Sequence, residues 1–451
     1  MKLNLTAEEL AKIIKGELTA KQPLRAIDFI SKDTRTISAG DCYWALKGAN
    51  FDGAAFAAQA ASKGAALIVA QTGAVDLNCV DADLIEVPDT LAALQTLAKH
   101  HRLKHNLKVA AITGSNGKST TKQMLLAITS SAGKTAANTG NLNNQIGLPL
   151  SLLEIENDDI FGVFELGASK KGDINEIASL AMPEVAVITN ISPAHLEFFG
   201  DMETVYQTKT EIIKSLNPNG FLVYNIDNEF LRGLKNEYKG KAISFGFSEN
   251  ADLIINEDEK NFTFIYKNAV FKFEIKLERY NKLNAAAACA GALALGLSKE
   301  QIETGLAAYE PMPFRMQEEV RGKTKFILDY YNANPASMQN ALDVLIKNPA
   351  PHIAVLGDML ELGRLSRFYH EDLARKIIER GIKQVFLSGE NMKAAYDVLR
   401  KDPCVMVKYS VDKKNLIQPL KRACAEGGTV LIKASRAMGF EFIYNEIMAE
   451  I

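Results

Sequence analysis

The sequence is poor in the features that mark several large protein classes. Its 5 cysteines, Cys42, Cys79, Cys289, Cys404 and Cys424, are odd in number and form no CxxC pair. That argues against a disulfide framework or a zinc site and fits a reducing compartment. Residues 1–20 hold no apolar core of signal-peptide length. No later run approaches the ~20 apolar residues of a membrane helix, and the most apolar helix candidate, 283–297, is short and Ala-rich and reads as buried. Neither sign of charge dominates: a formal net charge of -2 gives no general attraction to nucleic acid or to an anionic membrane. A soluble cytoplasmic protein without membrane insertion is expected, with a monomer as the default.

What is present is a globular chain too long for one compact core. At 451 residues, about two to four domains are expected. Residues 1–87 read as a small α/β domain: Thr6 with Glu9 makes a capping box, the loop 47–53 follows the aromatic Tyr43 and Trp44, and 66–70 is an apolar strand. Residues 88–312 read as a doubly wound ATPase domain. Apolar strands at 108–113, 162–165, 185–189 and 220–224 alternate with helical stretches, and the alternating pattern of 252–277 reads as antiparallel hairpins attached to the parallel sheet. Beyond Pro311 and Pro313, residues 313–451 read as a Rossmann-like α/β domain, with strands at 325–329, 353–356, 384–387 and 429–432.

The sharpest chemical signal is the junction of the strand 108–113 with Gly114, Ser115, Asn116, Gly117, Lys118, Ser119 and Thr120. Two glycines let the backbone turn tightly so that several N–H groups face one anion, and the following helix adds the positive end of its dipole. Lys118 then reaches the β- and γ-phosphates, and the Ser119 hydroxyl ligates Mg²⁺. Ile112 stands where the common form of this loop has its first glycine. Glu165 and His195 each follow a buried strand, at the end of a doubly wound sheet where ligands bind. The pair suits a divalent metal shared with ATP phosphates, or else a capped helix and a surface imidazole.

These motifs occur in an order that resembles the Mur ligases over essentially the whole chain. The phosphate loop is followed by the run 138–149, with Asn141 and Asn144, then by 165–167, by 190–195, by Lys209 in 207–211, and by Asn281, Arg315 and Asp329. The runs 329–338 and 356–363, with Asp33, Thr34 and Arg35, favour the branch that joins D-alanyl-D-alanine to UDP-N-acetylmuramoyl-tripeptide. The resemblance implies an ATP-driven ligase of peptidoglycan synthesis that passes through an acyl phosphate. Asp33, Thr34, Arg35, Asn141 and Asn144 would meet the UDP-sugar substrate. Asn281, Arg315 and Asp329 would meet the nucleotide, and Asn332, Asn334 and Ser337 the dipeptide.

Lys118, Glu165, His195 and Lys209 would be the catalytic set, with Ser119, Glu165, His195 and Lys209 around metal. Lys209 would carry a carbamate, because an ammonium cannot ligate Mg²⁺ whereas a carbamate oxygen can. Bland alternatives stand beside these roles: a lysine paired with Glu211 or a phosphate on a solvated helix face, Asn281 as a helix cap, and Asn334 with Pro335 as a turn. Three positions depart from the family pattern: Ala54 after Asp52-Gly53, Tyr280 before Asn281, and Ala434 after Lys433. A sister ligase, a folate-polyglutamate ligase and a nucleotide-gated binding protein are the competing readings.

Overall fold

The computed structural model describes residues 5–27, 29–48, 51–257 and 262–449. Asn50 of the loop 47–53 and Asn261 of the hairpin region lie outside the described residues.

Among the described residues, three large sheets follow one another along the chain, beside two small two-stranded ones. The first has the spatial order Glu17–Thr19, Asp83–Val87, Leu67–Gln71, Cys42–Trp44, Ile30–Ser31. Its pairings are parallel except at the edge strand Glu17–Thr19. Ahead of it the helix Ala7–Ile14 opens with the expected box, Thr6 receiving the Glu9 N–H while the Glu9 carboxylate accepts from the Thr6 N–H. Trp44 is buried and its indole donates to the Thr90 carbonyl at 2.8 Å.

That bond ties the first sheet to the helix Thr90–Lys104, whose N-terminus Asp89 caps. Leu94 and Leu97 of this helix share one apolar core with Trp44 and Ile85 on one side and Leu148, Ile174 and Ile177 on the other. The first and second α/β units are therefore fused through a continuous core rather than joined by a bare linker.

The second sheet has nine strands. Seven run parallel, in the order Thr135–Ala137, Phe161–Glu165, Lys108–Thr113, Val185–Ile188, Phe221–Asn225, Lys241–Gly246, Leu253–Glu257. Phe262–Tyr266 and Ala269–Lys272 continue it antiparallel, as the alternating pattern predicts. The central strands are apolar through their middles because both faces are covered: Val109 and Ala111 enter one core, Ala110 and Ile112 the other. On the second face the helix Arg279–Leu295 buries Ala285, Ala286, Ala287 and Ala288 completely. Small side chains there let it pack closely on the phosphate-loop helix Lys118–Ser130.

The third sheet runs Gln317–Arg321, Thr324–Asp329, Gly428–Lys433, His352–Gly357, Gln384–Ser388, Met406–Ser410, parallel except for its first strand. Among the described residues no helix is long and apolar enough to cross a membrane.

Candidate active site

The carboxyl ends of the central strands open into a cleft of about 1290 Å³ shared by the second and third units. The strand Lys108–Thr113 lies between Phe161–Glu165 and Val185–Ile188, with the chain winding away to either side. This is the switch point at which such sheets bind ligands.

The phosphate loop takes its shape from two glycines. Gly114 has φ +143° and Gly117 φ +79°; a Cβ on Gly117 would sit 2.1 Å from Asn284 Oδ1, and one on Gly114 2.0 Å from Thr189 Oγ1. The loop is also tied from outside. The Ser115 N–H donates to the Asn190 carbonyl at 2.9 Å and the Asn116 N–H to Asn190 Oδ1 at 2.9 Å. The Asn116 amide donates to Ser192 Oγ, and Thr189 Oγ1 donates to the Asn116 carbonyl. The first N–H groups of the helix Lys118–Ser130 have no intrahelical partners and face the same point. Lys118 Nζ folds back onto the Gly114 carbonyl at 2.9 Å, and burial pulls its ammonium below the usual lysine range while Glu165 opposes the shift.

Glu165 ends its strand 3% exposed. Asn138 holds its backbone in both directions, accepting from the Glu165 N–H and donating to the Glu165 carbonyl, each at 2.9 Å. Asn143 Nδ2 donates to Oε1 at 2.8 Å, and Oε2 is buried with no partner. A bare buried carboxylate oxygen facing a cleft is a cation-seeking atom. Lys122, one turn after Lys118, is also buried and donates to the Asn138 carbonyl.

Lys209, in the last turn of the helix Met202–Thr210, is 2% exposed, with its Nζ 5.5 Å from the centre of the Phe199 ring. Burial, aided by the charge of Lys118, pulls its ammonium down to about 7, against the opposing influence of Asp173, Glu165 and Glu211. The alternative of a lysine paired with Glu211 on a solvated face is corrected. Glu211 is itself buried and accepts from the Gly172 and Asn175 N–H groups at the start of the helix Asp173–Ala181.

Among the described residues no three His, Cys, Asp or Glu side chains gather as a metal cluster. Ser119 and the bare Glu165 Oε2 are oxygen donors of the kind a hard divalent cation takes, and the His195 imidazole lines the same cleft.

The third unit closes the cleft. Arg315 Nη2 donates to Ser119 Oγ at 2.9 Å, and the Arg315 guanidinium lies 4.0 Å from the centre of the Tyr331 ring. Asp329 Oδ2 pairs with Lys433 Nζ at 2.5 Å, and Lys433 is 1% exposed. Asn334 Nδ2 reaches Asn116 Oδ1 in the phosphate loop. His195 has φ +53° and its Nδ1 lies 2.5 Å from Glu361 Oε2.

Thus Ser115 to Thr120, Asn141, Asn144, Glu165, His195, Lys209, Asn281, Arg315, Asp329, Asn332, Asn334 and Ser337 all line one cleft. Asp33, Thr34 and Arg35 do not line it. Arg35 pairs with Asp33 at 2.6 Å, and Thr34 donates to Gln59. Some lining residues have plain structural work as well. Asn144 Oδ1 accepts from the Gly147 N–H, and Asn334 and Ser337 form the capping box of the helix Pro335–Ile346. Asn281 is not a cap: Glu278 holds that position, while Asn281 Oδ1 accepts from Asn284. Tyr280 lines the cleft with its hydroxyl buried and unpartnered, and burial pushes its phenol up. Sequence reasoning missed Asn138, Asn143, Lys122, Glu361 and Lys433. The first two stand in the run 138–149, Glu361 stands in the run 356–363 and Lys433 precedes Ala434, so the signal for these was membership of a motif run, with none for Lys122.

Comparison with known proteins matches the geometry. The Mur ligase middle domain matches residues 112–292, the Mur ligase glutamate ligase domain 314–436, and the Mur ligase family catalytic domain 26–102. The UDP-N-acetylmuramoyl-tripeptide–D-alanyl-D-alanine ligase of Bacillus subtilis is 32% identical, covering 98% of each chain. A crystal structure of MurF from Acinetobacter baumannii superposes with a TM-score of 0.92 at 31% identity, covering 98% of each chain. The MurF ligase of Thermotoga maritima, crystallised with ADP, gives 0.83 at 28% identity over 94% of this chain and 98% of that one. With three family models matched along its length and likeness covering 98% of both chains, the chain belongs to the Mur ligase family.

Proposed function

We propose that this enzyme joins D-alanyl-D-alanine to UDP-N-acetylmuramoyl-tripeptide, with ATP converted to ADP and phosphate. The observation that carries the reading is the convergence, in one cleft, of a phosphate loop, a buried carboxylate with a bare oxygen, a buried lysine of lowered basicity and an arginine from the third unit. Full-length likeness to ligases of that name supports it.

The chemistry follows from what a carboxylate lacks. Its oxygen is too basic to leave, so the γ-phosphoryl group is first transferred to it, giving an acyl phosphate and ADP. The dipeptide's neutral amine then attacks the acyl carbon, the phosphate leaves with the C–O electron pair, and the amine proton goes to solvent. The residues' task is to bring two anions together. Lys118, the helix N-terminus and Arg315 offset that repulsion with fixed positive charge. Ser119, Glu165, His195 and Lys209 would hold Mg²⁺, which when bound would supply the remaining charge neutralisation.

Lys209 fits that set as a carbamate. Its neutral amine adds to CO₂ and loses one proton, replacing a cation with an anionic oxygen donor, and its lowered basicity supplies the neutral amine near pH 7. Asn281, Arg315 and Asp329 would contact the nucleotide, and the region 332–338 the dipeptide. Residues 1–87 would hold the UDP-sugar, 88–312 ATP and 313–451 the amine. Closure of the third unit keeps water from the acyl phosphate. We place the reaction in the cytoplasm, carried out by a monomer. The test is phosphate release from purified protein. A ligase requires all three substrates, whereas a nucleotide-gated binding protein hydrolyses ATP without the amine.

A further inference from the structure

We propose that Glu361, in the third unit, is a positioning residue for His195, so that closure of that unit completes the metal site. The inference rests on the reading of His195 as a metal ligand.

One residue grips a whole turn. The Glu361 carboxylate binds His195 Nδ1 at 2.5 Å, while the Glu361 carbonyl accepts from the Glu197 N–H at 3.0 Å. The two loops are pressed together: Gly363 has φ +53°, and a Cβ there would sit 2.9 Å from Glu197 Cα. Both partners hold an uncommon backbone, with φ +53° at His195 and +63° at Glu361. Non-glycine residues keep such angles where the surroundings demand them.

Glu361 is anchored within its own unit. The Leu360 N–H donates to Ser435 Oγ at 3.0 Å, and the Ser435 N–H donates to the Asp358 carbonyl at 3.2 Å. Asp358 in turn accepts from the Met392 N–H at 2.8 Å. The carboxylate is therefore part of a fixed frame that also carries Lys433 and Asp329.

An imidazole that donates from Nδ1 keeps its lone pair on Nε2, which sets the tautomer and the ring direction for a metal. Here the orienting carboxylate comes from a different unit than the ligand. Metal binding and closure thus favour each other, and by linkage a cation at His195 should stabilise the closed form.

The test is titration of the full chain with Mn²⁺, read by electron paramagnetic resonance in the presence of a nonhydrolysable ATP analogue. Glu361→Ala should weaken Mn²⁺ binding by about 10–100-fold. Glu361→Gln, whose amide oxygen still accepts from Nδ1–H, should recover most of the loss. The double variant Glu361→Ala/His195→Ala should bind no more weakly than His195→Ala alone. Should Glu361→Ala melt early, Glu361→Asp, which withdraws the carboxylate but keeps the charge, must show the same weakening. If His195→Ala leaves Mn²⁺ affinity unchanged, the ligand reading itself fails. If His195→Ala weakens binding while Glu361→Ala or Glu361→Asp binds like wild type or tighter, the positioning role alone is overturned.

Discussion

Lys209→Met separates stability from function at one atom. Lys209 is 2% exposed, and its ammonium titrates at about 7 rather than the ordinary 10.5. That gap corresponds to roughly 5 kcal/mol of preference against the charged form, an order-of-magnitude figure. In the unfolded chain the lysine keeps its proton to about pH 10.5. Between the two values the unfolded state binds the extra proton, so stability rises with pH; below pH 7 both states are protonated and the cost is present in full. Methionine fills similar space without charge. At pH 6 in CO₂-free buffer, Lys209→Met should therefore be more resistant to urea than the parent, by up to the same ~5 kcal/mol. The advantage should shrink as pH rises toward 10. Bicarbonate at pH 8 should stabilise the parent and not the variant, and the variant should not ligate. Equilibrium urea melts with and without bicarbonate, paired with phosphate release, are the assay. A variant less stable than the parent at pH 6, or a parent that ligates at full rate after CO₂ is stripped, refutes the reasoning.

Lys118→Ala should keep the fold and lose at least about 10²–10³-fold in kcat, since it removes a preorganised cation at the transferring phosphoryl group; near-normal turnover in the ligation assay contradicts this. Gly117→Ala forces an L side chain into a left-handed turn, at about 1–2 kcal/mol, and drives its Cβ into Asn284. Calorimetry should show weakened nucleotide binding, partly restored by adding Asn284→Ala, which removes the clash and leaves the backbone cost. Exchange of residues 332–338 for the corresponding segment of a diaminopimelate-adding sister ligase should raise KM for D-alanyl-D-alanine with little effect on ATP affinity; unchanged dipeptide kinetics would move amine specificity elsewhere.

The parts of the fold that were legible are those whose signal is local. Lys108–Thr113 is a buried strand followed by Gly114, and the helix expected at 283–297 spans Arg279–Leu295, with small apolar residues at 285–292. The edge strand Gln317–Arg321 was not, because an edge strand with one solvated side carries polar residues and lacks the apolar pattern of the strand expected at 325–329. The motif residues of the second and third units from Ser115 onward line the cleft while Asp33, Thr34 and Arg35 do not, and the supports of the cleft residues were hidden by sequence distance. Asn143 meets Glu165 across 22 positions, Lys433 meets Asp329 across 104, and no local pattern encodes either contact. Burial inverted one bland expectation. A cationic Lys209 paired with Glu211 or a phosphate on a solvated helix face was the bland alternative, yet Lys209 and Glu211 are each under 5% exposed, with the Glu211 carboxylate used at the start of another helix. Capping also overlapped with function. Asn334 and Ser337 were singled out for the dipeptide, and the structure shows them building the cap of the helix Pro335–Ile346 while still lining the cleft.

The central claim is that phosphoryl transfer to a carboxylate precedes attack by the dipeptide amine. It is tested most directly with UDP-N-acetylmuramoyl-tripeptide labelled with ¹⁸O in its terminal carboxylate, incubated with ATP and D-alanyl-D-alanine. The account predicts one ¹⁸O atom in each phosphate released, in step with formation of the pentapeptide product. Phosphate free of ¹⁸O, or released at the same rate without the dipeptide, would contradict it.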